Sequence, residues 1–470
     1  MTTSIANSAR PKSDKRPLER FLGLFAEVRP GEGVTALLLT LNLFILLTAY
    51  LIIKTVREPL ILAGGGAEVK TFAAAGQALL LLIVVPLYSL LASRVNRIKL
   101  INWVTAFFIS NLIVFYFLAQ LDLPLGVPFF LWVGIFNLFV IAQFWSFAND
   151  LYTEEAGKRL FAIVAFGGTA GAVLGPKIAD WLFEPLGAYP LMLVAAVLLG
   201  SCMALANWVN ALEQRSAQKE AKRTEAEKPL ARGDGFKLVV GSRYLLLIAL
   251  LMIVVNAVNT TGEFILGKKV TEEARHAVEI ADRQPPAREA ASTSTMDTKK
   301  LEHEFIGKFY GNFFFWVNLC TAVIQLFLVS RILKYLGVST ALFFLPVIAL
   351  GGYSLVAMLP ALRYIQIAKV LENSADYSLQ NTVRQALFLP TSRDVKYKAK
   401  AAIDTFFVRI GDVAAAALVY AGSALALNTA SFAIVNIVIA LIWLTLAAGI
   451  GHHYRSLTAR NTDRSNNAGA

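Results

Sequence analysis

The residues able to do chemistry in this chain are ionisable side chains set inside long apolar runs. The first run ends Lys54-Thr55-Val56-Arg57-Glu58-Pro59, and Lys54 and Glu58 stand four apart, close enough to pair along a helix. Glu263 follows Asn256, Asn259, Thr260 and Thr261, with no basic residue in the four positions before it. Glu372, Asp376, Gln380 and Arg384 recur in steps of four. Each such step drifts only about 40° around a helix, so the four make one slanting stripe. Asp404, Arg409 and Asp412 recur in the next run, and Asp150 closes another, a few residues before Lys158-Arg159. Arginines such as Arg57, Arg384 and Arg409 suit an anion, because a guanidinium grips phosphate or carboxylate through two parallel hydrogen bonds. Acids such as Glu58, Asp376 and Asp412 can instead carry protons.

What must position these groups follows from composition. Of the 470 residues 56% are hydrophobic before the 31 glycines are added, and 16% are charged. Soluble proteins run at about 45–50% apolar with glycine included and about 25% charged, so a water-soluble globule is excluded. Apolar runs of the roughly 20 residues that span a bilayer occur twelve times, over 34–56, 71–92, 100–119, 126–150, 160–183, 187–210, 243–266, 306–330, 338–359, 361–389, 400–424 and 428–450. The expected fold is therefore an all-α integral membrane protein with twelve transmembrane helices.

Charge sets the orientation. With the N-terminus inside, the inner segments hold 28 of the 44 lysines and arginines, which places both termini in the cytosol. The net charge of +12 is then a topology signal, and no nucleic-acid partner is expected. Residues 1–20 lack the apolar core of a signal peptide, so 1–32 reads as a cytosolic arm and 451–470 as a cytosolic tail. Cys202 and Cys320 both fall in apolar runs and make no disulfide framework. No metal site, cofactor or nucleophile–base–acid set is expected, and with them no enzyme.

A polar stretch over 211–243 divides the spans into halves, 33–210 and 244–450. Ser93-Arg94-Val95-Asn96-Arg97 after the second span is echoed by Ser330-Arg331-Ile332-Leu333-Lys334 after the eighth. Two parallel six-helix halves are the layout of major facilitator transporters, whose substrate sits midway between them. A charge at mid-bilayer costs about 2.5–3.5 kcal/mol on insertion scales, so each charge in a span needs a partner, water or a role. Lys177 and Asp180, three apart, are expected to neutralise each other. Phe166-Gly167-Gly168-Thr169-Ala170-Gly171-Ala172 lacks the Gly-Lys-Ser/Thr end of a phosphate loop and reads as close helix packing. Simpler readings stand beside the functional ones. Lys54 and its neighbours can snorkel to the interface, the 372–384 stripe can be a buried network, and Asp150 can form a structural salt bridge.

Three segments carry a family resemblance: Lys54-Thr55-Val56-Arg57-Glu58-Pro59-Leu60 with Gly66-Ala67-Glu68; Phe147-Ala148-Asn149-Asp150 with Lys158-Arg159-Leu160-Phe161; and Lys398-Ala399-Lys400-Ala401-Ala402-Ile403-Asp404 with Arg409-Ile410-Gly411. Over most of spans one to eleven the chain resembles the nucleotide transporter family of plastids and intracellular bacteria, the ATP/ADP translocases of the major facilitator type. The resemblance implies nucleotide exchange across a membrane and four charged membrane residues, two lysines and two glutamates. The first lysine falls on Arg57 and the first glutamate on Asp150, each keeping its sign. The second glutamate falls on Glu263. The last lysine falls on Asp412, where the sign is reversed. A long charged outer loop over 268–305, interrupted by Pro285-Pro286, is a second departure.

The expected site is thus Lys54, Arg57, Asp150, Glu263, Asp376, Gln380, Arg384, Arg409 and Asp412 around a small anionic substrate, with ATP and ADP the first candidates. Glu58, Glu372 and Asp404 are the expected coupling residues. The main expectation is a nucleotide transporter of the plasma (cell inner) membrane. The alternatives are a proton-coupled transporter of another solute and a non-transporting membrane receptor or scaffold.

Overall fold

The computed structural model describes residues 28–29, 31–121, 123–152, 154–217, 235–283, 295–388, 390–391, 395 and 399–468. Most of the expected N-terminal arm and of the 211–243 linker lie outside these residues. Within them the chain is helical: α1 Gly33–Arg94, α2 Arg97–Ala119, α3 Gly126–Leu151, α4 Glu154–Leu186, α5 Pro190–Ala217, α6 Gly235–Val240, α7 Arg243–Arg283 and α8 Thr295–Val323. Then come α9 Val329–Tyr335, α10 Gly337–Ala341, α11 Phe344–Met358, α12 Leu362–Ala375, α13 Asn381–Ala386, α14 Lys400–Ala402, α15 Val408–Ala424 and α16 Thr429–Ala468. No strand occurs among the described residues.

Eight helical stretches among the described residues are long and apolar enough to cross a membrane. They differ from the twelve expected spans for physical reasons. The first two spans form one stretch, α1, bent at Gly66, whose φ of 72° and ψ of −178° lie in a region open essentially to glycine alone. The expected fifth, tenth and eleventh spans fall on α4, on α12–α13 and on α14–α15, none of which is among the eight. These stretches carry charges and are interrupted by prolines or by wide π-type turns, over Asp376–Gln380 and Ile403–Phe407. Of the expected 268–305 loop, the described residues are helical, and 284–294 lie outside them. Helix α7 continues to Arg283 and α8 begins at Thr295; along them Lys269 pairs with Glu272 and Glu273, and Arg275 reaches Glu302 at 3.6 Å. Likewise α16 carries the 451–470 tail on as helix to Ala468.

The outer surface is apolar: Val197 is 70% exposed and Phe117 63%, with Ile83, Trp103, Trp208 and Val438 also outward. Such a continuous apolar exterior suits lipid rather than water. The interior divides into two main apolar clusters. One joins α1 to α5 through residues such as Leu39, Phe136, Leu191 and Leu199. The other is built mainly from α7 to α16, including Ile248, Phe313, Val383 and Trp443. The two groups of helices meet where α1 packs on α7, α8 and α15, and where α4 packs on α8.

Backbone contact holds the first group. A Cβ on Gly167 or Gly171 would run into the carbonyl oxygen of Thr40 or Phe44, and one on Gly175 would lie 2.9 Å from that of Thr48. Glycines four apart on α4 thus lie against positions four apart on α1, the close packing expected of the 166–172 segment. Lys177 and Asp180 pair at 2.7 Å, also as expected. Polar side chains add links between helices: Asn42 donates to the Cys202 carbonyl at 2.9 Å, and Asn102 and Asn207 exchange hydrogen bonds at 3.0 and 2.8 Å.

Gly171→Val should therefore cost the overpacking penalty of about 1–3 kcal/mol and lower the melting temperature in detergent. Gly200→Ala, where an added Cβ meets nothing within 4 Å, should leave it unchanged or raise it.

Candidate functional site

The bend at Gly66 decides the site's geometry. It folds α1 back on itself, so Lys70, twelve residues after Glu58, returns to within 2.7 Å of the Glu58 carboxylate. Glu58 also accepts hydrogen bonds from Arg57, one of them from Nε at 3.0 Å, and is fully buried. The expected Lys54–Glu58 pair is replaced by these partners. Lys54 instead places its ammonium 4.2 Å above the Phe314 ring and 5.9 Å from that of Tyr377. The Arg57 guanidinium lies 4.6 Å over Phe130. Both cations therefore rest on aromatic faces, a contact that strengthens where water is excluded.

The network crosses to the second group of helices. Lys70 lies 3.5 Å from Glu263 on α7, and Glu263 is 3.8 Å from Lys369 on α12 and accepts from Asn373 at 3.0 Å. Lys369 is 3.1 Å from Glu372 and donates to the Asn259 side chain at 2.8 Å. The Tyr353 hydroxyl donates to Glu372 at 2.8 Å. On α15, Arg409 pairs with Asp412 at 3.1 Å, while the other Asp412 oxygen accepts from Asn256 and Thr260 at 2.7 and 2.9 Å.

Part of this network lines a cavity of about 290 Å³ between the two sets of helices, near the lower end of small-molecule sites at about 300–1,000 Å³. Its wall carries four cations, Lys54, Arg57, Lys70 and Arg409, against two carboxylates, Glu263 and Asp412. Aromatic faces of Tyr50, Phe130, Phe264, Phe314 and Tyr377 complete it. Such a wall can hold a small anion that also bears a flat apolar ring. A second cavity, of about 420 Å³, lies beside the Gly66 bend between Gly64, Leu123, Tyr189 and His303.

Five expected site residues meet at the central cavity: Lys54, Arg57, Glu263, Arg409 and Asp412. Glu58 and Glu372 stand in the network around it, Glu58 held by Arg57 and Lys70 and Glu372 by Lys369. The 372–384 stripe does not hold as one face. A π-type turn over Asp376–Gln380 hydrogen-bonds to the fifth residue rather than the fourth, so steps of four slip around the helix. Tyr377, not Asp376, lines the cavity. Gln380 is buried elsewhere, its amide lacking a hydrogen-bond partner among the described residues. Arg384 lies with Asn381 at 2.9 Å and Asp404 at 3.9 Å, and Asp404 lies with Lys400 at 3.3 Å, a cluster away from the cavity wall. Asp150 closes α3, and its side chain lies outside the described residues, as do those of Lys158 and Arg159.

Sequence reasoning missed Lys70 and the aromatic walls. Lys70 falls between two expected spans, and only the run Gly64-Gly65-Gly66 signals that the chain reverses there.

A profile of the TLC ATP/ADP transporter family matches residues 130–454. The chain belongs to this family. Family and relatives are transporters, not enzymes. ADP,ATP carrier protein 1 of Chlamydia trachomatis is 23% identical over 363 residues, covering 67% of this chain and 63% of the carrier. The chain thus spans less than two thirds of that relative's length. ADP,ATP carrier protein 1 of Rickettsia bellii is 20% identical across 95% of this chain and 96% of its own length. Among solved structures, an auto-inhibited POT family peptide transporter superposes with a TM-score of 0.58 at 10% identity, covering 90% of this chain and 97% of that one. The nucleoside transporter NupG gives 0.53 at 12%, covering 90% and 98%. These likenesses establish the fold, a multi-pass helical membrane protein built like the major facilitator transporters.

Within that fold Lys369 neutralises two carboxylates. Lys369→Met should leave Glu263 and Glu372 under-compensated and destabilise the protein by about 3–5 kcal/mol, the cost of breaking a buried ion pair from one side. Thermal unfolding in detergent would measure it. Lys308→Ala, which removes an exposed pair with Glu184 and Glu304, should cost no more than about 1 kcal/mol.

Proposed function

We infer that the protein is a secondary transporter that exchanges or imports nucleotides, ATP and ADP first among them, by alternating access. The observation that carries this reading is the cavity between the two sets of helices, which presents four cations and several aromatic faces in a chain of the ATP/ADP transporter family. The cations suit the phosphates and the rings suit the base. Arg57 and Arg409 supply the guanidinium groups, Lys54 and Lys70 point charges, and Glu263 and Asp412 hold cations in place. Arg57 and Glu263 keep the charge that the family resemblance leads one to expect.

Asp412 reverses it, but in this chain both of its oxygens are engaged, one of them by Arg409. Arg409 is then the cation that this part of the wall offers a substrate. Asp150 enters as the remaining acid of the set. The reading includes twelve membrane crossings in two six-helix halves, both termini in the cytosol and the Gly66 end of the bundle facing outward, in the plasma (cell inner) membrane.

Proton coupling is the second reading, favoured by the two carboxylates on the cavity wall. Glu58, Glu372 and Asp404 are its candidate carriers beside them. Each of the three lies against at least one cation.

Proteoliposomes loaded with ADP should take up labelled ATP, and uptake should fall when internal ADP is omitted. Collapse of uptake by an uncoupler, with no dependence on internal nucleotide, would select the proton-coupled reading. No binding and no uptake of any nucleotide would leave the receptor or scaffold. Arg57→Ala and Arg409→Ala should each lose a charge-assisted hydrogen bond, worth about 1.5–3 kcal/mol. That is roughly ten- to a hundredfold in apparent affinity, read as the concentration dependence of uptake.

A further inference from the structure

Lys70 ties the two sets of helices by charge in the interior, where the Lys308–Glu184 pair that also joins them is exposed. Its ammonium is within 2.7 Å of Glu58 in its own helix and 3.5 Å of Glu263 in the other set, and it sits 5.1 Å from the Tyr310 ring. On one side of the tie Arg57, Glu58 and Lys70 carry one net positive charge. On the other Glu263, Lys369 and Glu372 carry one net negative charge. Together the six groups are neutral; pulled apart, each three would leave an uncompensated charge in a low-dielectric interior, which is strongly disfavoured.

Glu263 can lose Lys70 more easily than Lys70 can lose Glu263. It keeps Lys369 and the Asn373 hydrogen bond from its own set of helices, while Arg57 and Lys70 are left sharing Glu58. Both of these cations line the central cavity, so an anion bound there can supply the missing charge.

We propose that the Lys70–Glu263 pair is a latch closing the Gly66 end of the bundle, released when the anionic group of a bound substrate takes over the charge of Lys70. This rests on the transporter reading above and adds to it a reason for exchange: the empty protein stays latched at that end, and the loaded one can open.

The test places spin labels on Leu123→Cys and Leu301→Cys, one in each set of helices beside the Gly66 end, both native cysteines being replaced by alanine. Leu123 and Leu301 are 47% and 42% exposed. Pulsed electron–electron distances are then measured with and without ADP. In the otherwise unchanged protein ADP should shift the distribution to longer distance. Glu263→Gln and Lys70→Gln should each show the longer distance without ADP, and the double variant should go no further than either, since both remove one interaction.

Short distances in both single variants, or additive lengthening in the double, would overturn the latch. So would ADP binding, seen as a thermal shift, with no lengthening. If ADP does not bind but inorganic pyrophosphate lengthens the distance, the latch stands and the nucleotide reading fails. Lys70→Arg, which keeps the charge and the fold, must stay closed without ADP and respond to it; an open Lys70→Arg would also overturn the proposal.

Discussion

Charge inside an apolar envelope must be neutralised locally, and that constraint organises this protein. A lysine or carboxylate within a bilayer is tolerated only against a partner, a polar neighbour or a cavity. Arg57, Glu58, Lys70, Glu263, Lys369 and Glu372 meet it by compensating one another through ion pairs that step from α1 to α7 to α12. They join the bent α1 to the second set of helices, and three of them, Arg57, Lys70 and Glu263, line the central cavity.

Aromatic residues do the complementary work. Lys54 and Arg57 have no carboxylate each to themselves; the first rests on Phe314 and the second shares Glu58 while lying over Phe130. A cation on a ring keeps part of its field free for a ligand. A cation buried in a bidentate carboxylate does not. The cavity wall thus combines charges already committed, such as Asp412, with charges only partly committed, such as Lys54 and Arg409.

Much of this was legible in the sequence, and unevenly so. The all-helical membrane fold follows from apolar run lengths, and the close packing of α4 on α1 from glycines four apart. Five of the nine expected binding residues reach the cavity because an ion in a span has few other places to go. Helical arithmetic failed where the helix was not regular. The wide turn at Asp376–Gln380 turned Tyr377 to the cavity and sent Gln380 and Arg384 elsewhere, and no residue pattern announces such a turn. Lys70 was missed for the opposite reason: its partners are brought to it by a reversal of the chain, and spacing along the sequence says nothing of what lies across a bend. The 268–305 segment read as a loop because it is charged, yet among its described residues Lys269 is spaced to pair with Glu272 and Glu273 along a helix.

The reversal at Gly66 also sets what this part of the chain can accept. Glu58 and Lys70 lie on the two arms of one nearly continuous helical stretch, with no slack between them. Adding one residue to an arm would turn everything beyond it by about 100° and carry the ammonium off the carboxylate it neutralises. The short segment from Glu58 to Lys70 is therefore a measured distance, its length set by the pair that it closes.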